Sequence, residues 1–150
     1  MSGVPSAVKI LLDNGANVSI VGDNGKTALI CTVERRHLET AKMLIQADSD
    51  LEATDSDGNR PLHIAADTEN TAMMTELVRA GANMFSRGQM GQTPVFFATR
   101  TGNLPGLKML LDAGAKAWGY DERTIPLNQA ARRLFSTRLT RSSALVIALL

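Results

Sequence analysis

Side chains that could perform covalent chemistry are few in this sequence of 150 residues. It contains one cysteine, Cys31, and two histidines, His37 and His63. A cysteine nucleophile needs a base beside it, and His37, six positions later, lies off the helical face of Cys31. Two histidines and one cysteine at unrelated spacings also lack the paired arrangement of a zinc site. We therefore predict that the protein has no catalytic residues.

Two acidic stretches, at 48–52 and 55–59, are superficially similar to calcium-binding loops. No bidentate Glu follows either stretch at the distance that such a loop requires. The phosphate-binding patterns GxxxxGK[ST] and GxGxxG do not occur in the sequence. We therefore predict that the protein is not an enzyme and that it binds no metal ion and no cofactor.

Composition and apolar run lengths indicate the fold class and the cellular compartment. Hydrophobic residues make up 44% of the chain and aromatic residues only 4%, so the core must be built from small and aliphatic side chains, as in helical folds. The start lacks the features of a signal peptide, and one cysteine allows no intrachain disulfide. The longest apolar run, 144–150, is far shorter than the roughly 20 residues that span a bilayer. We predict an intracellular protein, cytoplasmic or nuclear, with no membrane insertion.

A motif recurs along the chain at a fixed interval, the repeat period. The turn glycines Gly25, Gly58 and Gly91 define this period, because they are 33 positions apart. A helix start follows each glycine, an apolar pair ends the next helix, and a Gly-Ala stop recurs at Gly81 and Gly114. The helix starts are Thr27-Ala28-Leu29, Arg60-Pro61-Leu62 and Thr93-Pro94-Val95. A fixed period of this length predicts an array of stacked units.

The pattern DxxGxTPLHxAA, followed by a second helix and GA(D/N), resembles the ankyrin repeat over nearly the whole chain. The resemblance implies an all-α fold, a solenoid of stacked antiparallel helix pairs joined by β-hairpin loops. First helices are expected near 27–34, 60–67, 93–100 and 126–133, and second helices near 5–12, 37–45, 70–78 and 104–112. The predicted units are a partial repeat at 4–21, full repeats at 22–54, 55–87 and 88–120, and a divergent repeat at 121–150. Both ends stop inside a repeat, so we expect a monomeric fragment of a longer protein or, alternatively, a short array with degenerate ends.

Several positions have structural roles in this interpretation. His63 occupies the histidine of the TPLH-like motif, which in the family hydrogen-bonds backbone between neighbouring turns, and His37 is expected to be structural as well. Cys31 is predicted to be a small buried residue. Thr27 and Thr93 are expected to cap first helices with their hydroxyls. Gly81 and Gly114 are predicted to adopt left-handed conformations at helix stops.

The predicted function is binding of a protein or peptide partner. In ankyrin-like arrays, hairpin tips and the exposed faces of first helices line a concave surface. The four predicted anchors are Arg87, Met90, Arg100 and Tyr120. Arginine and tyrosine are enriched at binding hot spots, and an exposed methionine at a hairpin tip has no obvious structural reason. The other residues that the resemblance places on this surface are Asp57, Asn59, Gln89, Gln92, Arg123 and Arg133. The alternative is that each of these residues is an ordinary solvated loop residue with no role in binding.

Charge is distributed unevenly along the chain. Residues 1–78 contain six Lys and Arg against twelve Asp and Glu, whereas residues 79–150 contain ten against three. A dipolar surface steers and orients a partner. The alternative function is an anion-binding surface for nucleic acid or a phosphorylated ligand through the basic C-terminal half. We consider nucleic acid the less favoured partner, because few aromatic residues interleave with the arginines as stacking platforms.

Overall fold

The computed structural model describes residues 3–22 and 25–115. Seven α-helices follow one another in this part of the chain. They are α1 (Gly3–Asp13), α2 (Ala28–Glu34), α3 (Leu38–Gln46), α4 (Pro61–Asp67), α5 (Thr71–Arg79), α6 (Pro94–Thr101) and α7 (Leu104–Asp112), with a 3-10 turn at Gln89–Gly91. The all-α prediction is confirmed. The helix expected near 126–133 lies outside the described residues.

The helix bounds agree with the predicted ones to within two residues at each end. Pro61 and Pro94 begin α4 and α6, where the missing N–H of proline costs no hydrogen bond. Thr27 caps α2, since its Oγ1 accepts a hydrogen bond from the Ile30 N–H at 3.3 Å. Thr93 stands at the N-cap of α6, but its side chain makes no capping hydrogen bond, so the prediction of a hydroxyl cap is wrong there.

The N-cap residues of the second helices α3, α5 and α7 are one repeat period apart. Asn70 and Asn103 occupy the N-cap position ahead of α5 and α7, and their side chains accept hydrogen bonds from the backbone N–H groups of Met73 and Gly106. His37 occupies the same position ahead of α3 with similar backbone angles, and its side chain makes no capping hydrogen bond. The helix α3 therefore begins without the side-chain cap that the next two second helices have.

The helices form two packed layers. The first helices α2, α4 and α6 lie side by side, and the second helices α1, α3, α5 and α7 form a row behind them. Each first helix also packs on the second helix of its own repeat. Fully buried alanines, Ala65, Ala66 and Ala98, allow neighbouring first helices to approach closely, while leucines such as Leu77 and Leu110 fill the space between the layers.

Left-handed turns recur at the helix stops. Gly81 and Gly114 have φ values of 99° and 96°, as predicted, and the Asp48 backbone at the equivalent stop has φ 57°. The hairpin loops between repeats are tight turns in the described residues, where one isolated β-bridge, Val21 with Thr27, is the extent of strand pairing. Cys31 is partly exposed, so the expectation that it is buried is wrong.

Candidate functional site

The side chain of His63 forms hydrogen bonds that connect two consecutive repeats in the interior of the protein. Its side chain is fully buried. Nδ1 accepts a hydrogen bond from the Arg60 N–H at 3.2 Å, so the ring proton lies on Nε2, which faces the carbonyls of Ser86 and Gln92 at 3.0 and 3.1 Å. Burial lowers the pKa of His63 to about 4, and the two carbonyl contacts offset only part of that effect. The neutral ring is structural, as predicted.

Two further hydrogen bonds fix the loop at 86–92 on the preceding hairpin loop. Asn59 Oδ1 accepts a hydrogen bond from the Gln89 N–H at 3.0 Å. Arg60 Nη1 donates to the Arg87 carbonyl at 2.6 Å, and its Nε forms an ion pair with Glu52 at 3.0 Å. The tip of one hairpin loop is therefore supported directly by the loop before it.

A cleft of about 240 Å³ opens beside these loops. Its walls come from the first-helix layer and from the hairpin loop at 55–59. The lining combines acidic side chains with two apolar ones and consists of Glu34, Asp55, Asp57, Asn59, His63, Ile64, Asp67, Thr68 and Phe97. Two residues of the predicted binding surface, Asp57 and Asn59, are part of this lining.

Ion pairs partly neutralise the acidic lining. Lys26 Nζ lies 2.6 Å from Glu34 Oε1, and this hydrogen bond raises the pKa of Lys26. Arg100 forms an ion pair with Asp67, and its guanidinium carbon lies 4.7 Å from the centre of the Phe97 ring. Arg100 is therefore held in place by a carboxylate and by a cation–π contact.

The predicted hairpin residues occupy the tip of the loop at 86–92. Met90 is 85% exposed, and its backbone has a left-handed φ of 55°. Arg87 and Gln89 are beside it, and both are exposed. Gln92 is half-buried, and its carbonyl accepts a hydrogen bond from the Gly88 N–H at 2.8 Å, which closes the loop. These four residues thus form one group, in which the apolar Met90 side chain is largely in contact with solvent.

Other predicted residues lie around the cleft. Asp57 is exposed, Asn59 is half-buried, and Arg100 is exposed next to Asp67. Because Asn59 both lines the cleft and binds the Gln89 backbone, the cleft and the loop tip are neighbours. The remaining predicted site residues, Tyr120, Arg123 and Arg133, lie outside the described residues.

Sequence reasoning did not select the apolar part of the cleft. Ile64 and Phe97 are one repeat period apart, as are Cys31 and Ile64, so all three occupy the same place in their repeats. Ile64 and Phe97 both line the cleft, and the occupants of this repeat position could have been found by comparing the units position by position. Asp55 also lines the cleft and was not among the predicted site residues, for a different reason. Its carboxylate accepts hydrogen bonds from the N–H groups of Asp57 and Asn59, which a sequence pattern does not reveal.

The described part of the chain offers neither a cluster of metal ligands nor a membrane-spanning helix. No group of three or more His, Cys, Asp or Glu side chains there is arranged to hold a metal ion. None of the helices in residues 3–22 and 25–115 is long and apolar enough to cross a lipid bilayer.

Comparisons with known proteins give the family. A family model described as ankyrin repeats (3 copies) matches residues 1–87 and 47–121. Ankyrin repeat domain-containing protein 63 of Mus musculus is 46% identical over 59 residues, which cover 39% of this chain and 15% of the mouse protein. The Homo sapiens protein of the same name is 44% identical over 59 residues, 39% of this chain and 16% of its own length. Since the family model matches most of the sequence and the helix pairs recur at the repeat period, the chain belongs to the ankyrin repeat family.

Proposed function

We propose that this protein is a non-catalytic interaction module that binds a protein or peptide partner on its concave face. The concave face consists of the hairpin loops and the exposed sides of α2, α4 and α6. Ankyrin repeats are in general protein-binding modules, which supports the proposal at the level of the family. The choice of face and of residues is specific to this chain and depends on Met90.

Met90 is the observation that carries the proposal. A left-handed backbone costs a residue other than glycine about 1–2 kcal/mol. The side chain that this backbone holds is apolar and 85% exposed. Neither property stabilises the isolated protein. A methionine side chain is flexible and polarisable and fits irregular apolar surfaces, so contact with another molecule gives this residue a role.

Arg100 supports the same face. Its ion pair with Asp67 and its contact with Phe97 restrict its conformations before any partner arrives. A side chain that is already ordered loses less entropy when it binds. Arginine is also enriched at binding hot spots. Arg100 is thus a suitable polar contact at the edge of a cleft that offers the apolar surfaces of Ile64 and Phe97.

The anion-binding alternative receives less support. Of its arginines in the described residues, Arg100 is already paired with Asp67 beside a cleft lined by carboxylates. A phosphate group near Asp55, Asp57 and Asp67 would meet charge repulsion. Five further arginines of that alternative, Arg123, Arg132, Arg133, Arg138 and Arg141, lie outside the described residues. Intracellular location, the monomeric state and membership of a longer protein remain predictions.

The test is a triple variant, Arg87→Ala, Met90→Ala and Arg100→Ala. Partners captured from a cell extract by the wild-type protein are identified first, and the affinity of each purified partner is then measured by titration. We expect the triple variant to bind the true partner roughly thirtyfold or more weakly, because truncation of hot-spot side chains costs about 2 kcal/mol or more.

A matched control changes three residues on the second helices, Lys42→Ala, Thr75→Ala and Lys108→Ala. We expect this control to keep the wild-type affinity, and both variants to unfold at temperatures close to that of the wild type. A control variant that loses the partner while the Arg87, Met90 and Arg100 variant keeps it would place the binding face on the opposite side of the molecule.

A further inference from the structure

The cleft beside the hairpin loop at 55–59 is smaller than a typical small-molecule site and is rich in carboxylates. Its volume is about 240 Å³, whereas pockets that enclose a whole small-molecule ligand measure roughly 300–1,000 Å³. A space of this size fits one large side chain of a partner. The carboxylates in its lining are Glu34, Asp55, Asp57 and Asp67.

The cations paired with this lining neutralise only two of the carboxylates. In the described residues, Lys26 is paired with Glu34 and Arg100 with Asp67. The hydrogen bond from Lys26 to Glu34 is the main cause of the raised pKa of Lys26, and the charge of Asp55 contributes less. A net negative charge therefore remains at the cleft, and it favours a positively charged partner.

Asp55 and Asp57 are the two carboxylates that remain. Neither forms an ion pair with another described residue. Asp55 Oδ1 accepts hydrogen bonds from the N–H groups of Asp57 and Asn59 at 3.0 and 2.8 Å, so the loop backbone holds this carboxylate in place. A carboxylate has about four acceptor positions, so Asp55 can bind a further donor. His63, also in the lining, adds no charge at neutral pH, because burial lowers its pKa to about 4.

Arg100 shows which kind of cation the walls of the cleft accommodate. Its guanidinium is paired with the Asp67 carboxylate, and the guanidinium carbon lies 4.7 Å from the centre of the Phe97 ring. Ile64 adds a second apolar residue to the lining. An arginine side chain combines an aliphatic stem, which can lie on apolar surface, with a planar group of five N–H donors. Guanidinium is also more weakly hydrated than the ammonium of lysine, so it enters a partly enclosed space more readily.

We propose that the cleft binds an arginine side chain of the partner, with the guanidinium on Asp55 and Asp57 and the aliphatic stem on Ile64. The binding segment of the partner is therefore basic. This inference rests on the proposed function and deepens it, since it names the chemistry of the partner. Asn59 lines the cleft and binds the backbone of the loop that carries Met90, so the arginine would lie next to the residue on which the proposed function depends.

Blocked pentapeptides test the cleft directly. They have the sequence Gly-Ala-X-Ala-Gly, in which X is arginine, lysine, glutamate or citrulline, a residue with the shape of arginine but without its charge. Each peptide is titrated into the complete chain, and the backbone amide NMR signals of residues 55–59 and 64–68 report occupancy of the cleft. We expect the arginine peptide to bind roughly tenfold more tightly than the citrulline peptide, because hydrogen bonds between charged groups are the stronger ones. The lysine peptide is expected to bind less tightly than the arginine peptide, and the glutamate peptide to move none of these signals.

A pair of variants assigns the binding to Asp55 and Asp57. In the variant Asp55→Asn with Asp57→Asn, the amide oxygen at position 55 can still accept the two backbone hydrogen bonds, so we expect the loop to keep its conformation. This variant is expected to bind the arginine peptide roughly tenfold more weakly than the wild type. The matched control, Asp50→Asn with Asp112→Asn, removes the same charge from two exposed residues outside the cleft lining and is expected to keep the wild-type affinity.

Three outcomes of the peptide titrations overturn the proposal. They are an arginine peptide that binds no more tightly than the citrulline peptide, a lysine peptide that binds as tightly as the arginine peptide, and equal affinities of the two variants. A calcium titration that moves the same amide signals when the arginine peptide does not also overturns it, because the occupant is then a metal ion.

Binding of the natural partner separates this proposal from the proposed function. If the Arg87, Met90 and Arg100 variant loses the partner while the Asp55 and Asp57 variant binds it as the wild type does, the partner uses the concave face without an arginine in the cleft, and only the present proposal fails. If both variants keep the wild-type affinity for the partner, the proposed function itself fails.

Discussion

At the scale of single residues, His63 shows what the sequence could and could not predict. Its structural role followed from its place in the repeat motif. The identity of its partners did not, because Ser86 and Gln92 lie 23 and 29 positions away and the contacts depend on how one loop packs on the next repeat. Met90 was predicted as an exposed residue, but its left-handed backbone could not be foreseen, since methionine does not favour that conformation.

The lowered pKa of His63 predicts how stability depends on pH. The folded protein holds the ring neutral with a pKa of about 4, below the ordinary value of 6.5. Below pH 6.5 the unfolded chain binds a proton that the folded protein does not, so the free energy of unfolding decreases as the pH falls from 6.5 to 4. We expect this residue to account for a loss of about 2 kcal/mol between pH 7 and about pH 4.5.

Urea denaturation at a series of pH values measures this dependence. The comparison is His63→Asn, which we expect to be less stable at pH 7 but to lose less stability on acidification than the wild type does. Equal pH dependence in the two proteins would mean that His63 is not held neutral in the fold.

At the scale of helices, the bounds could be predicted because they depend on residue types close to each helix end. Prolines and the Gly-Ala stops fixed the helix bounds to within two residues, because each signal acts within one turn of its own position. Caps were less predictable. Thr27 caps its helix and Thr93 does not, although both stand at the same place in the repeat. The residue type and its place in the repeat therefore do not by themselves determine whether a side-chain cap forms.

The missing cap of α3 gives a prediction about stability. Replacing His37 with Asn supplies the side chain that caps α5 and α7, on a backbone with a similar conformation. We expect the free energy of unfolding to increase by about 1 kcal/mol, measured by urea denaturation. The control His37→Ala has no cap to lose and is expected to change stability by less than about 0.5 kcal/mol. If the Asn variant is no more stable than the Ala variant, the new side chain does not cap the helix.

At the scale of the whole molecule, the period predicted which elements are neighbours, and the structure agrees throughout the described residues. The cleft was not predicted in the same way. Its shape depends on Ile64 and Phe97 from successive repeats meeting the hairpin loop at 55–59, and such contacts have no signature within one repeat. The burial of equivalent residues also differs between repeats, although the repeat pattern of the sequence is nearly uniform.

This variation predicts a gradient of local stability. In α4, six of seven residues are buried, with neighbours on both sides, whereas α1 is open on one side. In an array each unit is stabilised by its own fold and by its nearest neighbours. We expect the amides of α4 to exchange with solvent at least on the order of tenfold more slowly than those of α1. Equal protection in both helices would indicate that the whole array opens in one step.

The contacts between successive hairpin loops have a consequence for binding kinetics. His63, Asn59 and Arg60 all bind the backbone of the loop that carries Met90. That loop has therefore already given up its conformational freedom in the unbound protein. If the proposed function is correct, the partner binds a preformed surface. Differences in affinity among partners are then expected to lie chiefly in how slowly they dissociate.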